Sequence, residues 1–292
     1  MKLNKFAVVL AASSMFASGA AMAEPFYLVA PNGGAGNDAD AATAMTYQFG
    51  IDYTATSIYQ DTDNSYTGAI GSFVTVGDAV TDTGFGTVSS LLDSNGIAYT
   101  GNNNLEGFSS SWNLGFSYDD LSGTVVAVDN SGLNTTQGIG AFYNTGTLQV
   151  FYQTLDEDDG SVVTSIRVMD LLVFASSGTI GNATLNASVD FSNSADLALS
   201  SSLFFFADGT NWYDLWAAGE PLPSITIAAR IDTNVDPQFV PTCDDAECTT
   251  QSRTNTLNGS VEFNRVPEPG VLALLGIGLM GLGAARRFKK AA

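Results

Sequence analysis

Residues 185–191 read LNASVDF, and the stretch alternates apolar and polar side chains without a break. Leu185, Ala187, Val189 and Phe191 fall on one side, and Asn186, Ser188 and Asp190 on the other. A period of two is the mark of a strand with one buried face. The same period recurs at Leu148, Val150 and Tyr152, and again at Ile225, Ile227, Ala229 and Ile231. Residues 161–175 could serve a helix by spacing, but Val162, Val163, Ile166 and Val168 are β-branched and favour one long strand. Turn chemistry separates these runs. Asp93-Ser-Asn-Gly96 is one such cluster, and Asp156-Glu-Asp-Asp-Gly160 has the composition of a hairpin tip. Residues 234–260 are polar and contain Pro237 and Pro241, so they read as a long loop before a last strand, Ser260–Arg265. The expected fold is all-β: a single antiparallel β-sandwich over residues 24–265, with a jelly roll as the candidate topology.

Charge and absences narrow the chemistry. All thirty acidic residues lie between Glu24 and Glu268, and only Arg167, Arg230, Arg253 and Arg265 oppose them there, which leaves a formal charge of −26. Such a surface repels nucleic acid and attracts divalent cations. The chain has no histidine, and residues 24–268 have no lysine. Histidine-based nucleophile systems, Schiff-base chemistry and histidine-ligated zinc are therefore excluded. Carboxylate-pair glycan hydrolysis and Ca²⁺ binding survive. No pair of carboxylates stands out, so no catalytic residue is assigned and a non-enzymatic role is expected.

Both ends carry targeting features. Residues 1–23 combine Lys2 and Lys5, an apolar run from Phe6, and a small-residue site at Ala21-Met22-Ala23. They read as a secretory signal peptide, handled by the Sec translocon and signal peptidase, with cleavage between Ala23 and Glu24. At the other end, residues 266–292 hold Pro267-Glu268-Pro269, sixteen apolar residues from Gly270 to Ala285, and a basic tail of Arg286, Arg287, Lys289 and Lys290. The apolar stretch falls short of the ~20 residues of a comfortable transmembrane helix, so it suits a temporary anchor. The basic tail should stay cytoplasmic. Two prolines keep the Pro-Glu-Pro segment extended and open to an enzyme.

These three parts, in this order, resemble the PEP-CTERM sorting signal of Gram-negative bacteria. The resemblance covers only the last 26 or so residues. It implies recognition by an exosortase, transient residence in the inner membrane, processing near Pro267–Pro269, and delivery to the cell surface or the extracellular matrix. It also implies association with exopolysaccharide and biofilm.

Four features of the body are candidate sites. Cys243 and Cys248 are close in sequence in an exported chain and suggest a disulfide. Gly33–Asp38 matches the start of a Ca²⁺-binding β-roll repeat, but in a single copy. Asp61 and Asp63, and likewise Asp156 and Asp158, are weak Ca²⁺ candidates; no other cofactor is implied. Trp212 and Trp216 stand beside Asn211 and Asp214, a composition that suits either glycan stacking or a core edge.

Overall fold

A computed structural model describes residues 23–29, 45–64, 74–99, 107–132, 136–180, 182–219, 227–234, 242–243 and 249–266. Two short strands, β1 (Phe26–Leu28) and β8 (Phe204–Phe206), pair with each other. The remaining strands form one large antiparallel sheet. They are β2 (Gln48–Gln60), β3 (Ala79–Leu92), β4 (Trp112–Gly132), β5 (Thr136–Leu155), β6 (Val162–Thr179), β7 (Asn182–Asp190), β9 (Ile227–Asn234), β10 (Thr242–Cys243) and β11 (Thr250–Arg265). Two short helices, α1 (Leu197–Leu203) and α2 (Trp212–Gly219), flank β8.

The sheet closes on itself. β11 pairs with β2 over Thr250–Glu262 and with β9 over Asn258–Arg265. Eight antiparallel strands, β2 to β7 with β9 and β11, thus complete a ring, while β10 adds to β11 outside it. One closed up-and-down barrel stands where the two facing sheets of a sandwich or jelly roll were expected. The reason is register. Because Asn258–Glu262 are bonded on both sides, β11 leaves no free edge between β2 and β9.

The alternation read from the sequence is borne out at Leu185, Ala187 and Val189, which face inward on β7, and at Leu148, Val150 and Tyr152 on β5. Residues 162–179 are one strand, not a helix. Asp156–Gly160 joins β5 to β6, with Gly160 at φ 71° in the left-handed region. The expected loop over residues 234–260 is corrected. β9 runs to Asn234, and the last strand begins at Thr250, ten residues earlier than expected. Its inward residues there are Gln251, Arg253 and Asn255, all buried, so the buried face was polar and the usual apolar signal was missing. All of the expected signal peptide (residues 1–23) but Ala23, together with the β-roll-like segment and the apolar tail, lies outside the described residues. Among those described, no helix is long and apolar enough to cross a membrane.

Inside, the barrel has two unlike ends. At one, Phe26, Phe49, Phe204, Phe206, Trp212 and Phe263 pack together, all at most 3% exposed, with ring centroids 4.8–5.5 Å apart. The ribbon of β1 and β8 and the two helices plug this aromatic pole. Each helix is started by a side-chain cap. Asp196 accepts from the Leu199 amide at 3.0 Å, and Asn211 accepts from the Tyr213 amide at 2.8 Å. Filling the plug with six large rings is a major source of stability, since each buried aromatic contributes several kcal/mol.

Candidate binding cavity and termini

At the opposite, polar pole the inward positions change character. The registers set Arg253 of β11 opposite Ser57 of β2, and Ser57 opposite Asp82 of β3. Opposed residues share a face, so these three form one row across the inner wall. The Tyr143 hydroxyl on β5 donates to Asp82 Oδ2, and the Tyr143 amide donates to Ser176 Oγ at 2.6 Å. The Arg253 guanidinium lies over the Tyr59 ring, 5.5 Å from its centroid. Tyr118 lies across Gly84, where a Cβ would come within 2.5 Å of its hydroxyl, so glycine is required to seat that ring.

Burial governs the electrostatics here. It pushes the Asp82 carboxyl up, against the Tyr143 contact, the nearby Ser57 hydroxyl and the Arg253 charge. It pushes Tyr59 up to about 12, with the Arg253 charge opposing. Tyr143 and Tyr118 are also raised, first by burial and then by the Asp82 charge. The tyrosines therefore remain protonated donors at neutral pH, and Asp82 is biased toward its neutral form.

These groups surround a cavity of about 60 Å³ in the barrel interior, floored by Ile51, Phe116, Leu148, Leu185 and Ile231. Several of its polar atoms find no hydrogen-bond partner among the described residues: Arg253 Nε and Nη1, Asp82 Oδ1 and Asn255 Oδ1. Among the described residues, Asp82 is the one carboxylate in the lining.

A separate acidic group lies beside the start of β3. Asp61, Asp63 and Asp78 bring carboxylate oxygens within 4.8 Å of one another. Asp78 is fully buried and is fixed by the amides of Thr62 (3.2 Å) and Thr75 (2.7 Å). Asp61 and Asp63 were legible as a pair, but Asp78 was not, because it lies about fifteen residues further along the sequence. An all-oxygen set of this kind suits a hard cation such as Ca²⁺. Asp156 and Asp158 are exposed at the hairpin tip, and no third carboxylate joins them among the described residues.

The glycan-stacking expectation is corrected at Trp212, whose indole is fully buried and stacks on Phe204 at 5.2 Å. Trp216 is half-buried against Phe191 and Tyr213. The two tryptophans on α2 therefore do not form an exposed platform. Cys243 is exposed on β10, and Cys248 lies outside the described residues.

The two ends of the described chain meet at the aromatic pole. The Glu24 amide donates to the Phe263 carbonyl (3.1 Å) and to Asn264 Oδ1 (3.2 Å). Arg265, the last residue of β11, pairs with Glu24 Oε1 at 2.6 Å and with Asp208 Oδ2 at 2.8 Å. Its guanidinium also lies 4.5 Å from the centroid of the Phe206 ring.

Starting at the Arg265 of this clamp, residues 265–287 match the PEP-CTERM protein-sorting motif. The C-terminus thus carries an exosortase sorting signal, which implies export and membrane-associated sorting to the cell surface. No curated protein and no solved structure matches the chain.

Proposed function

We propose that this chain is a non-enzymatic protein of the cell surface or extracellular matrix, delivered there by exosortase and associated with exopolysaccharide. Signal peptidase cuts after Ala23, the tail parks the chain in the inner membrane, and processing near Pro267–Pro269 releases it. The observation that carries this reading is the position of the sorting motif. It begins at Arg265, the final residue of the closing strand. Processing at Pro267–Pro269 would therefore remove nothing from the barrel. The Glu24–Arg265 ion pair joins the two ends of the barrel chain at one pole, which supports processing on that side. The barrel then stands with its aromatic plug toward the membrane and its polar pole pointing away.

Replacing Glu268 with alanine tests the sorting step. A plain anchor would not respond, because the apolar run and basic tail are intact. Sorting should fail, with full-length protein accumulating in the inner membrane and surface protein falling; an unchanged distribution would contradict the reading.

A further inference from the structure

We infer that the polar pole of the barrel binds a small carboxylate anion, with Arg253 as its counter-charge. The inference does not rest on the sorting reading. It starts from how this chain treats its few cations. Three of the four arginines in the body are paired: Arg167 with Asp170 at 2.6 Å, Arg230 with Glu262 at 3.6 Å, and Arg265 with Glu24 at 2.6 Å. Arg253 is the exception. It is 8% exposed, and among the described residues no carboxylate is in ion-pair contact with it. In a body with thirty acidic residues, contact with a carboxylate would be easy to arrange. A buried charge held away from an internal partner is costly unless the partner arrives from outside.

The surroundings set the chemistry of that partner. Two guanidinium nitrogens, Nε and Nη1, lack acceptors, so the ligand must bring an acceptor, and a charged one binds best. Asp82 sits in the same row but makes no ion pair with Arg253, and burial pushes its carboxyl up against the opposing Tyr143 contact and Arg253 charge. When protonated, its Oδ1, which has no partner among the described residues, can donate to the ligand. The apolar floor below, including Ile51, Leu148 and Ile231, accepts a short hydrocarbon tail. The volume limits size. A cavity of about 60 Å³ has room for on the order of four to six water-sized groups. An acid of the acetate-to-butyrate class fits, whereas a long-chain acid or an oligosaccharide does not.

The test is calorimetric titration of the exported, processed protein with sodium propionate. Propionamide serves as the uncharged isostere and sodium chloride as the ionic control. The expected result is one saturable site for propionate, with propionamide weaker by roughly tenfold or more, because a charge-assisted contact is lost. Arg253→Met should weaken propionate by a similar factor while still melting cooperatively. A cavity that holds only water would give no saturation by acetate, propionate or butyrate. That result overturns the proposal, and so does equal binding of propionate and propionamide. The comparison of the two ligands needs no variant, so it stands even if Arg253→Met fails to fold.

Discussion

The aromatic pole and the polar pole are built from the same strands, yet they obey opposite rules. β2 begins with Phe49 and Ile51 facing inward and ends with Ser57 and Tyr59. β11 runs the other way, from Gln251 and Arg253 to Val261 and Phe263. At the aromatic pole local pattern, packing and burial agree, and that agreement specifies a fold. At the polar pole the chain buries a charge and several polar atoms that it leaves unsatisfied. One end supplies stability, and the other spends some of it on a cavity whose polar atoms await a partner. Breaking each end separately should show that difference.

The largest expected effect is at the plug. Trp212→Ala removes the ring at the centre of the aromatic cluster, and should lower stability by about 3–5 kcal/mol. Chemical denaturation of the exported protein measures it, and a loss below about 1 kcal/mol would place the core elsewhere.

Opposite in sign is Arg253→Met, which removes a buried unpaired charge. It should raise stability in the absence of ligand by about 1–3 kcal/mol. A destabilised variant would mean that Arg253 holds the barrel together.

Asp82→Asn should act in the same direction and less strongly. The folded-state pKa of Asp82 is raised above its unfolded value. The folded protein therefore holds the proton more tightly, and stability falls as pH rises from about 4 through the folded pKa. The asparagine variant keeps an acceptor for Tyr143 and lacks that titration. Its stability should exceed the parent's at pH 7 by about 1 kcal/mol, and the difference should shrink toward pH 4. A gap of constant size across that range would exclude Asp82 as its source.

A further effect lies at the rim of the polar pole, where β2 ends and β3 begins. If Ca²⁺ binds at Asp61, Asp63 and Asp78, a tenfold excess over its dissociation constant adds about 1.4 kcal/mol. Melting in Ca²⁺ against chelator reads this, and Asp63→Asn should abolish the difference. Identical melts for the parent protein would rule out a site of useful affinity.

The same contrast explains what was legible in the sequence. β7 announced itself because Leu185, Ala187 and Val189 are apolar and face the apolar interior. The first half of β11 did not. Gln251, Arg253 and Asn255 alternate faithfully, but with polar side chains that look like loop residues. Barrel closure left no local trace, because it depends on which strand meets β11 on each side. The helices were signalled only by the caps at Asp196 and Asn211, which are single residues among many similar ones. None of the cavity residues formed a motif, since Ser57, Asp82, Tyr143 and Arg253 come from four different strands. One clue was present: Arg253 is one of only four cations in the body, and it lies in a period-two run. The sorting motif, by contrast, was legible, because its recognition depends on linear order and not on folding.

The intact mass of the surface-delivered protein tests the central claim most directly. The clamp between Glu24 and Arg265 marks the limits of the folded barrel, and the sorting motif begins at that second limit. The account predicts a chain that starts at Glu24 and ends near Pro267–Pro269, with every barrel strand retained. Surface material that still carries Arg286–Ala292, or that begins at Met1, would contradict it.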